Sequence, residues 1–562
     1  MGLVVLPFLV SGWQAQAQSR PRQENLVPQA GVSAVYAAER EAALAPVEVA
    51  VTGGAGQDPI AVSPDGANWY AAGADGKAAL RLAPGSHTLC AAQGNRIVRK
   101  EITVPASKEI TKTTLDLGAA PQADDLLLYT FPAGEGAGAA LPVSGAGAVA
   151  AEPLPNGFSV AAGGGGASLA VDPALAQAGF HSIRLTLTNA AGETECRLGV
   201  FLDDGAPATE IRTADDLALL REDLSGHFVL ADDLDLSAVD GWTPIGTEAN
   251  PFTGTFDGGG HEIKGFHAPG KIEAGTHFSF FGAMSGAVVE NLIFREPMVT
   301  PEVPPRASGT SFCCSVLGTA SSCLVRDCAS IGGIVHPTDG SAAGLVTEYN
   351  AILLGLFNST AVVCEMEKKW LPNTGGVAAA AYQSFLKYCA NEGAVSGNHL
   401  TGGVASFTRG GFITRCVNSG SIEGRDLVGE YPAGGVCQTI DYGRVTSCAF
   451  LRGQSADGAK VFAGPAVLAG MQPVTADGLR DPAALAVLGP FEEAWCYASL
   501  DAYGPVPIGV FKQRTPAPQV VGGAVVPPGK DGIEHYYKKE NGKTFVCAAC
   551  RGMRDSEWVE VP

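Results

Sequence analysis

Gly376-Val377 leads to Cys389-Ala390-Asn391-Glu392-Gly393, Gly403-Val404 leads to Cys416-Val417-Asn418-Ser419-Gly420, and Gly435-Val436 leads to Cys448-Ala449-Phe450. In each stretch the cysteine follows its glycine by 13 residues, and the stretches begin 27 and 32 residues apart. A unit that recurs with this spacing is typical of a solenoid, in which each coil buries its apolar face against its neighbours. The middle of the chain is therefore predicted to be a β-solenoid.

Weaker copies of the unit extend toward the N-terminus, beginning at Phe281, Leu317 and Gly344. The inward position of successive coils is then predicted to be occupied by Leu292, Cys328, Leu356, Cys389, Cys416 and Cys448. Cysteine and leucine share this position, which indicates a buried site for an apolar side chain of small or medium size. The thiols are predicted to pack in the core without forming disulfides. The Gly-Gly pairs are predicted to mark corners, where a positive φ or a close backbone approach excludes a Cβ.

The N-terminus has the pattern of a signal peptide. An apolar run from Met1 to Val10 ends near Ala15-Gln16-Ala17-Gln18, which has the small residues of a cleavage site. We therefore expect residues 1–18 to be a signal peptide, truncated at its start because no basic residue precedes the run, and residues 19–45 to be a linker. The run is too short to span a bilayer, so secretion or display at the cell surface is predicted.

The charge of the chain limits the classes of partner. Its 57 acidic and 37 basic side chains give a formal net charge of −20. Nucleic acids and anionic membranes require clustered positive charge, so neither is expected as a partner. We expect a monomer, with a glycan or a host or extracellular protein as partner.

Two stretches before the solenoid have the patterning of β-sandwiches, residues 46–118 and 122–203. Apolar and polar residues alternate in both, and turn signals such as Pro64-Asp65-Gly66 separate the strands. The segment 82–89 (LAPGSHTL) resembles a turn of transthyretin-like and carboxypeptidase-regulatory-like modules, and the hairpin at 183–200 resembles the last hairpin of an immunoglobulin-like domain. These resemblances imply two structural spacers.

The start of the solenoid combines a short helix with an unusual series of strands. Thr213 and Asp216 stand in the positions of a capping box before a leucine-rich turn, which predicts a helix that caps the first coil. The segments 228–236 (FVLADDLDL), 242–246 (WTPIG) and 251–263 (PFTGTFDGGGHEI) follow. This series resembles the start of GLUG-motif regions in bacterial surface proteins, including immunoglobulin A peptidases and filamentous adhesins. The resemblance covers residues 208–505 and implies a right-handed parallel β-helix, so the fold class is mainly β, with two β-sandwich domains before the β-helix.

The resemblance does not carry an activity with it. The peptidases act through a separate domain with a His-Glu-x-x-His helix, and His261-Glu262-Ile263-Lys264-Gly265 lacks the second histidine. Asp232, Asp233 and Asp235 could be read as calcium ligands, but alternation favours a solvated strand face. No catalytic residue, cofactor or metal is therefore predicted.

The C-terminal part comprises a proline-rich linker, residues 506–530, and a small module, residues 531–562. The module resembles a C-terminal unit of secreted proteins from gut-type Gram-positive bacteria, but its cysteines lie further along, at Cys547 and Cys550. This CxxC is compatible with a local disulfide or two free thiols, and with His535 it offers fewer zinc ligands than the four that are usual.

Binding residues are expected in the excursions between coils, because insertions in a solenoid project on one face. The largest excursions are predicted at 295–315, which holds the vicinal pair Cys313-Cys314, and at 361–374. The latter contains Lys368, Lys369 and Trp370, which could stack on a sugar or anchor in a protein. The function predicted from the sequence is non-catalytic adhesion or recognition of a glycan or a host protein. The alternatives are a polysaccharide lyase or glycoside hydrolase on the β-helix and, third, a purely structural stalk.

Overall fold

A computed structural model describes residues 44–561 except for 55–57, 67, 108, 240, 269, 274–276, 304–311, 365–371, 425–432, 454–459, 464–465, 490–493, 498–504, 508–509, 511–534, 541–542 and 549–557. The expected signal peptide, residues 1–18, lies outside the described residues. The described chain is mainly β, and the largest of its sheets has 17 strands. The described part contains no helix with the length and apolar composition that crossing a membrane requires.

The first module consists of seven strands around one core. Its strands are β1 Ala45–Thr52, β2 Ala61–Ser63, β3 Tyr70–Ala71, β4 Lys77–Leu82, β5 Gly85–Gln93, β6 Arg96–Val104 and β7 Thr111–Asp116, followed by a 3₁₀ turn, Leu117–Ala119. The three-stranded sheet β4-β1-β7 packs on β2, β5 and β6. Alternation in β1 explains the packing, because Val47, Val49 and Val51 point inward while Glu48 and Ala50 do not.

The second module is joined to the first through a common sheet. Its strands are β8 Leu126–Pro132, β9 Ala137–Leu141, β10 Ala148–Glu152, β11 Phe158–Gly163, β12 Gly166–Val171, β13 Gly179–Thr188 and β14 Gly192–Asp203. Strand β14 pairs with β6 from Gly192↔Val98 to Thr194↔Arg96, so one eight-stranded sheet runs through both modules. The sequence suggests two separate spacers, but this shared sheet makes them one continuous body.

The solenoid follows, built from parallel strands. Its first part contains β15 Thr209–Ile211, a 3₁₀ turn Asp215–Ala218, an α-helical turn Leu219–Glu222, β16 His227–Leu230, β17 Leu234–Asp235, β18 Thr255–Asp257, β19 Glu262–Lys264, β20 His277–Phe278, β21 Phe281–Ser285, β22 Val288–Glu290, β23 Ile293–Arg295 and β24 Met298–Val299. Its middle contains β25 Phe312–Cys313, β26 Leu317–Ser321, β27 Leu324–Arg326, β28 Ala329–Ile331, β29 Ile334–Val335, β30 Ser341–Ala343, β31 Val346–Tyr349, β32 Ile352–Leu354, β33 Phe357–Asn358, β34 Ala361–Cys364, β35 Asn373–Gly375, β36 Ala378–Tyr382, β37 Phe385–Lys387, β38 Ala390–Asn391 and β39 Val395–Gly397. The last part contains β40 Leu400–Gly402, β41 Ala405–Arg409, β42 Phe412–Thr414, β43 Val417–Asn418, β44 Ile422–Gly424, β45 Cys437–Asp441, β46 Arg444–Leu451, β47 Lys460–Ala463 and β48 Val467–Val474.

Each coil from β20 to β44 contributes five strands, and equivalent strands of successive coils pair in parallel. The pairs Ile293↔Ala329, Ala329↔Phe357, Phe357↔Ala390, Ala390↔Val417 and Val417↔Ala449 fix the register. The residue before each of these is the one predicted to point inward, and all six, from Leu292 to Cys448, are fully buried in one core. The predicted register of the ladder is confirmed.

Two corners of each coil adopt left-handed backbone geometry. One lies just before the ladder position, at Asn291, Asp327, Gly355, Tyr388, Arg415 and Ser447; the other lies five residues earlier, at Gly286, Ser322, Asn350, Gln383, Gly410 and Tyr442. Most of these residues are not glycine, although L residues seldom adopt this geometry. The Gly-Gly pairs at 375–376, 402–403 and 434–435 do not have a positive φ, whereas the pair at 332–333 does. A Cβ at Gly376 would collide with Gly403 O and with the side chain of Asn391, so close approach is the reason for glycine there.

A buried asparagine ladder runs beside the cysteines. Asn358 Nδ2 donates to Asn391 Oδ1 at 2.8 Å, and Asn391 Nδ2 donates to Asn418 Oδ1 at 2.7 Å. Each amide also donates to a carbonyl two residues ahead in its own coil. At the next coil Phe450 takes the asparagine's place and ends the ladder.

The first coil is covered by the short helical segment. Asp216 Oδ2 accepts from the Thr213 N–H at 2.8 Å, and Thr213 Oγ1 accepts from the Asp216 N–H at 3.3 Å, which is the predicted capping box. Leu217 and Leu220 are buried in the solenoid core.

The C-terminal segment folds back on the solenoid. It contains 3₁₀ turns at Gly478–Arg480 and Ala486–Leu488 and the antiparallel pair β49 Trp495–Tyr497 and β50 Pro505–Pro507. The last strands, β51 His535–Glu540, β52 Lys543–Ala548 and β53 Trp558–Val561, form a separate antiparallel sheet.

Candidate functional site

The binding residues predicted from the sequence, Lys368, Lys369 and Trp370, lie outside the described residues. Of the predicted excursion at 295–315, residues 304–311 lie outside the described residues, and only its two ends are described. Residues 298–299 and 312–313 form strands, and Cys313 and Cys314 are fully buried. Because coil strands here are only two or three residues long, apolar alternation is too short to separate them from a loop in the sequence.

One outward row of the large sheet is covered by the second module. The row is in register across six coils and consists of Val288, Leu324, Ile352, Phe385, Phe412 and Arg444. Phe180 packs on it, with Leu126 and Phe201 at the edge. The apolar members are buried as a cluster, so this face is unavailable to a ligand.

Polar contacts fasten the modules to the same face. Arg444 Nε donates to Glu195 Oε2 at 2.9 Å, and Lys387 Nζ donates to Asp125 Oδ1 at 2.5 Å. Arg197 is buried; its guanidinium donates to Asn350 Oδ1 at 3.1 Å and to Gln383 O at 2.7 Å.

The first module is attached as well. Arg415 Nη2 donates to Asp58 Oδ2 at 3.1 Å, and Trp69 Nε1 donates to Ala466 O at 2.8 Å. The modules therefore lie along the solenoid and do not act as free spacers.

The second outward row of the large sheet is covered by the C-terminal segment. The row follows the cysteine ladder by one residue and consists of Ile293, Ala329, Phe357, Ala390, Val417 and Ala449. Trp495 is buried on it, donating its indole N–H to Leu488 O at 3.2 Å and meeting Tyr388 edge to face. Both apolar outer rows of the largest sheet are thus covered by the chain itself.

The seven-stranded sheet, β21-β26-β31-β36-β41-β45-β47, presents a different kind of outer row. Tyr382, Arg409 and Asp441 are in register on neighbouring strands, so their side chains share a face. The ring of Phe407 lies 5.5 Å from that of Tyr382 and 5.8 Å from the Arg409 guanidinium carbon. Tyr442, at the corner after Asp441, is 56% exposed. We call these five residues the arginine–aromatic strip.

A buried carboxylate fixes the position of Arg409. Its Nε donates to Asp441 Oδ2 at 2.7 Å, and the Asp441 side chain is only 4% exposed, whereas that of Arg409 is 45% exposed. A cation over a ring face adds a further attraction. The strip thus combines a fixed cation with the exposed ring of Tyr442. This suits recognition better than acid–base chemistry, because the Asp441 carboxylate is paired with Arg409 through Oδ2.

A cleft of about 330 Å³ lies where the second module meets the first coil. Asp204, Glu222 and Asp223 give it acidic walls, and His227 lines it. His227 Nε2 lies 2.9 Å from Asp204 Oδ1, and its Nδ1 lies 2.8 Å from Thr255 Oγ1. With both ring nitrogens in hydrogen bonds, His227 is not placed to take a proton from a substrate.

The aspartates considered as calcium ligands point to separate partners. Asp232 pairs with Arg212 at 3.0 Å, and Asp233 lies 3.4 Å from His261. Asp235 accepts from Ser237 and pairs with Lys264 at 3.1 Å, contacts that lower its pKa to about 2. Among the described residues, no three His, Cys, Asp or Glu side chains are grouped in a way that could hold a metal.

His261 and Glu262 do not form a catalytic pair. Glu262 accepts two hydrogen bonds from Arg295, at 2.8 and 2.9 Å. Cys550 lies outside the described residues, and only the backbone of Cys547, in β52, is described.

The arginine–aromatic strip was missed by sequence reasoning. Its members come from three coils; those from different coils are 25 or more residues apart and differ in type, so no repeat marks them. The available signal was the register itself, since counting back from the cysteine ladder aligns Tyr382 with Arg409.

Comparisons with known proteins find only distant structural similarity. No protein-family model and no curated protein sequence matches the chain. A crystal structure from Bacteroides ovatus, provisionally named an immunoglobulin A1 protease, has a TM-score of 0.37 at 18% identity and covers 54% of this chain and 93% of that one. A structure named IgA1 protease has a TM-score of 0.32 at 14% identity and covers 52% of this chain and 24% of that one. An endo-fucoidan hydrolase of glycoside hydrolase family 107 has a TM-score of 0.14 at 14% identity and covers 28% of each chain. At TM-scores this low, none of the three similarities supports an inference about function.

Proposed function

We propose that this chain is a secreted or cell-surface modular protein that recognises a glycan or a host protein without catalysing a reaction on it. The observation that carries the proposal is the arginine–aromatic strip, in which Arg409 is fixed over Phe407 by the buried Asp441. Exposed aromatic and arginine side chains on a rigid scaffold are typical of recognition surfaces. The largest sheet supports the same interpretation, because its two apolar outer rows are already covered by the chain.

The pairing of the strands is also compatible with a more specific architecture. We propose a right-handed parallel β-helix of the GLUG type, preceded by two β-sandwiches, one transthyretin-like and one immunoglobulin-like. The five-strand coils, the capped first coil and the strand series at 228–263 support it. We also propose a monomer of bacterial origin that does not bind nucleic acid, in keeping with the net charge of −20.

The test is to incubate the purified protein with a panel of polysaccharides and extracellular host proteins. Retention and product release are measured in the same samples. Retention without new reducing ends or unsaturated products is expected. Product release would instead establish the polysaccharide-degrading alternative, and the absence of retention across the panel would favour a structural stalk.

Location is tested separately in the organism that produces the protein. Immunodetection of the chain in the culture medium or on intact cells is expected. Detection only after lysis would refute secretion.

A further inference from the structure

The guanidinium of Arg409 has a defined pose and uncommitted donors. Among the described residues, its one ion pair is made through Nε, and none accepts a hydrogen bond from its two terminal nitrogens. The ion pair with Asp441 on the neighbouring strand and the Phe407 ring under the guanidinium restrict its rotation. An arginine held at Nε presents its remaining N–H groups as a planar fork, which matches the two oxygens of a carboxylate.

The surroundings of the fork indicate what carries that carboxylate. Tyr382 stands beside Arg409 on one neighbouring strand, and Tyr442 follows Asp441 on the other. Tyr442 has left-handed backbone geometry at the corner that follows this strand, and it is exposed. A tyrosine ring offers a flat apolar face with a polar tip, which suits the C–H face and the hydroxyl rim of a sugar ring.

Because the whole protein is negatively charged, an anionic ligand needs a local cationic group to bind. A net charge of −20 repels acidic polymers at long range. At physiological ionic strength, however, screening confines such repulsion to about 8 Å, so contacts with a fixed arginine decide binding.

We propose that the arginine–aromatic strip is a subsite for a carboxylate-bearing saccharide, a uronic acid or a sialic acid, whose carboxylate is bound by Arg409 and whose ring packs on Tyr442. This assignment rests on the proposed recognition function and specifies its ligand class. No bond is made or broken in the complex.

The test measures binding of three probes to the full chain: an oligogalacturonate, its methyl ester and a sialylated oligosaccharide. An acidic peptide serves as the probe for a protein partner. The variants are Arg409→Lys, which keeps the charge without the fork, and Arg409→Gln. Arg326→Gln is the matched control, since Arg326 is anchored at Nε by Glu290 and 42% exposed, on the large sheet. Equal melting temperatures of the wild type and Arg409→Lys establish that folding is intact.

The expected result is binding of one of the acidic saccharides but not of the methyl ester. Arg409→Lys should weaken this binding about tenfold, since a charge-assisted pair contributes about 1.4 kcal/mol or more, and Arg326→Gln should leave it unchanged. Tighter binding of the oligogalacturonate identifies the ligand as a uronate, and tighter binding of the sialylated oligosaccharide identifies it as a sialate.

Three outcomes would overturn the assignment: equal binding by the Arg409 variants, equal binding of the methyl ester, or binding of the acidic peptide alone. Each of these leaves the general recognition function standing. Failure of every glycan and host protein in the wider panel would overturn both.

Discussion

Asn391 Nδ2 donates to Asn418 Oδ1 at 2.7 Å, and both side chains are buried in the solenoid. Asn391, in the middle of the ladder, uses its oxygen for the coil before and its nitrogen for the coil after. The polar groups thereby satisfy one another in a core that offers no water. Their pairing fixes how one coil stacks on the next, because a shift of one residue would leave every amide without its partner.

Asn391→Ala is therefore expected to destabilise the protein. It removes the acceptor of Asn358 Nδ2 and the donor to Asn418 Oδ1, and leaving such groups buried without partners costs about 2–3 kcal/mol. The measurement is the midpoint of chemical denaturation. Asn250→Ala, in an exposed turn, is the control and should change stability by less than about 0.5 kcal/mol. Equal midpoints for the two variants would refute the role of the ladder.

The ladder cysteines Cys328, Cys389, Cys416 and Cys448 are expected to be reduced and unreactive in the native protein. Burial raises the pKa of Cys328 and Cys416 well above that of a free thiol, so the reactive thiolate is scarce even at pH 9. Alkylation at pH 8 and 9, before and after denaturation, followed by peptide mass spectrometry checks this. Native-state labelling of any of the four, or a bridge between Cys389 and Cys416, would contradict it.

Deleting residues 213–224 is expected to cause aggregation. The segment covers the first coil with Leu217 and Leu220, and an uncovered solenoid end exposes apolar side chains and unpaired strand edges. Size-exclusion chromatography should show oligomers. Leu220→Ser should have the same tendency, while Leu219→Ser, at a position 37% exposed, should remain monomeric. A monomeric deletion variant would show that the segment is not a cap.

The docking of the second module should depend on pH through Glu193. Burial raises the pKa of this carboxyl, but the hydrogen bond from Arg99 and the charges of Arg444 and Arg99 lower it on balance. A lowered pKa stabilises the folded state above the unfolded value of about 4.3, and that stability is lost as the pH falls through the folded pKa. The melting temperature should fall from pH 6 to pH 3, less steeply in Glu193→Gln.

Glu135→Gln, at an exposed position, is the control for this measurement. It should follow the wild type at every pH. A Glu193→Gln profile that parallels the wild type would show that the ion pairs do not contribute to docking.

The repeat made the interior of the solenoid predictable. Cys389 and Cys416 occupy equivalent positions, and a glycine followed 10–13 residues later by a buried apolar residue aligns the coils between Leu292 and Cys448. The outer contacts were harder, because Arg197 meets Asn350 and Gln383 across more than 150 residues with no repeating signal.

One outer contact could have been foreseen. The position after each ladder residue is apolar in every coil, from Ile293 to Ala449, and strands with apolar residues on both faces are covered on both. Sequence reasoning assigned the inner face and left this second face unused. The segment around Trp495 covers this second face, which explains why the face is apolar.

The hairpin of β13 and β14 lies along the solenoid and contacts several coils. Its Phe180 N–H donates to Gly286 O at 2.6 Å near one end of the array. Near the other end, Arg444 Nε donates to Glu195 Oε2. Tension applied along the solenoid axis is therefore shared between the coils and a second, antiparallel element that bridges them. Separating two coils between Gly286 and Arg444 requires shearing this bridge, so this part of the array should resist extension as a unit.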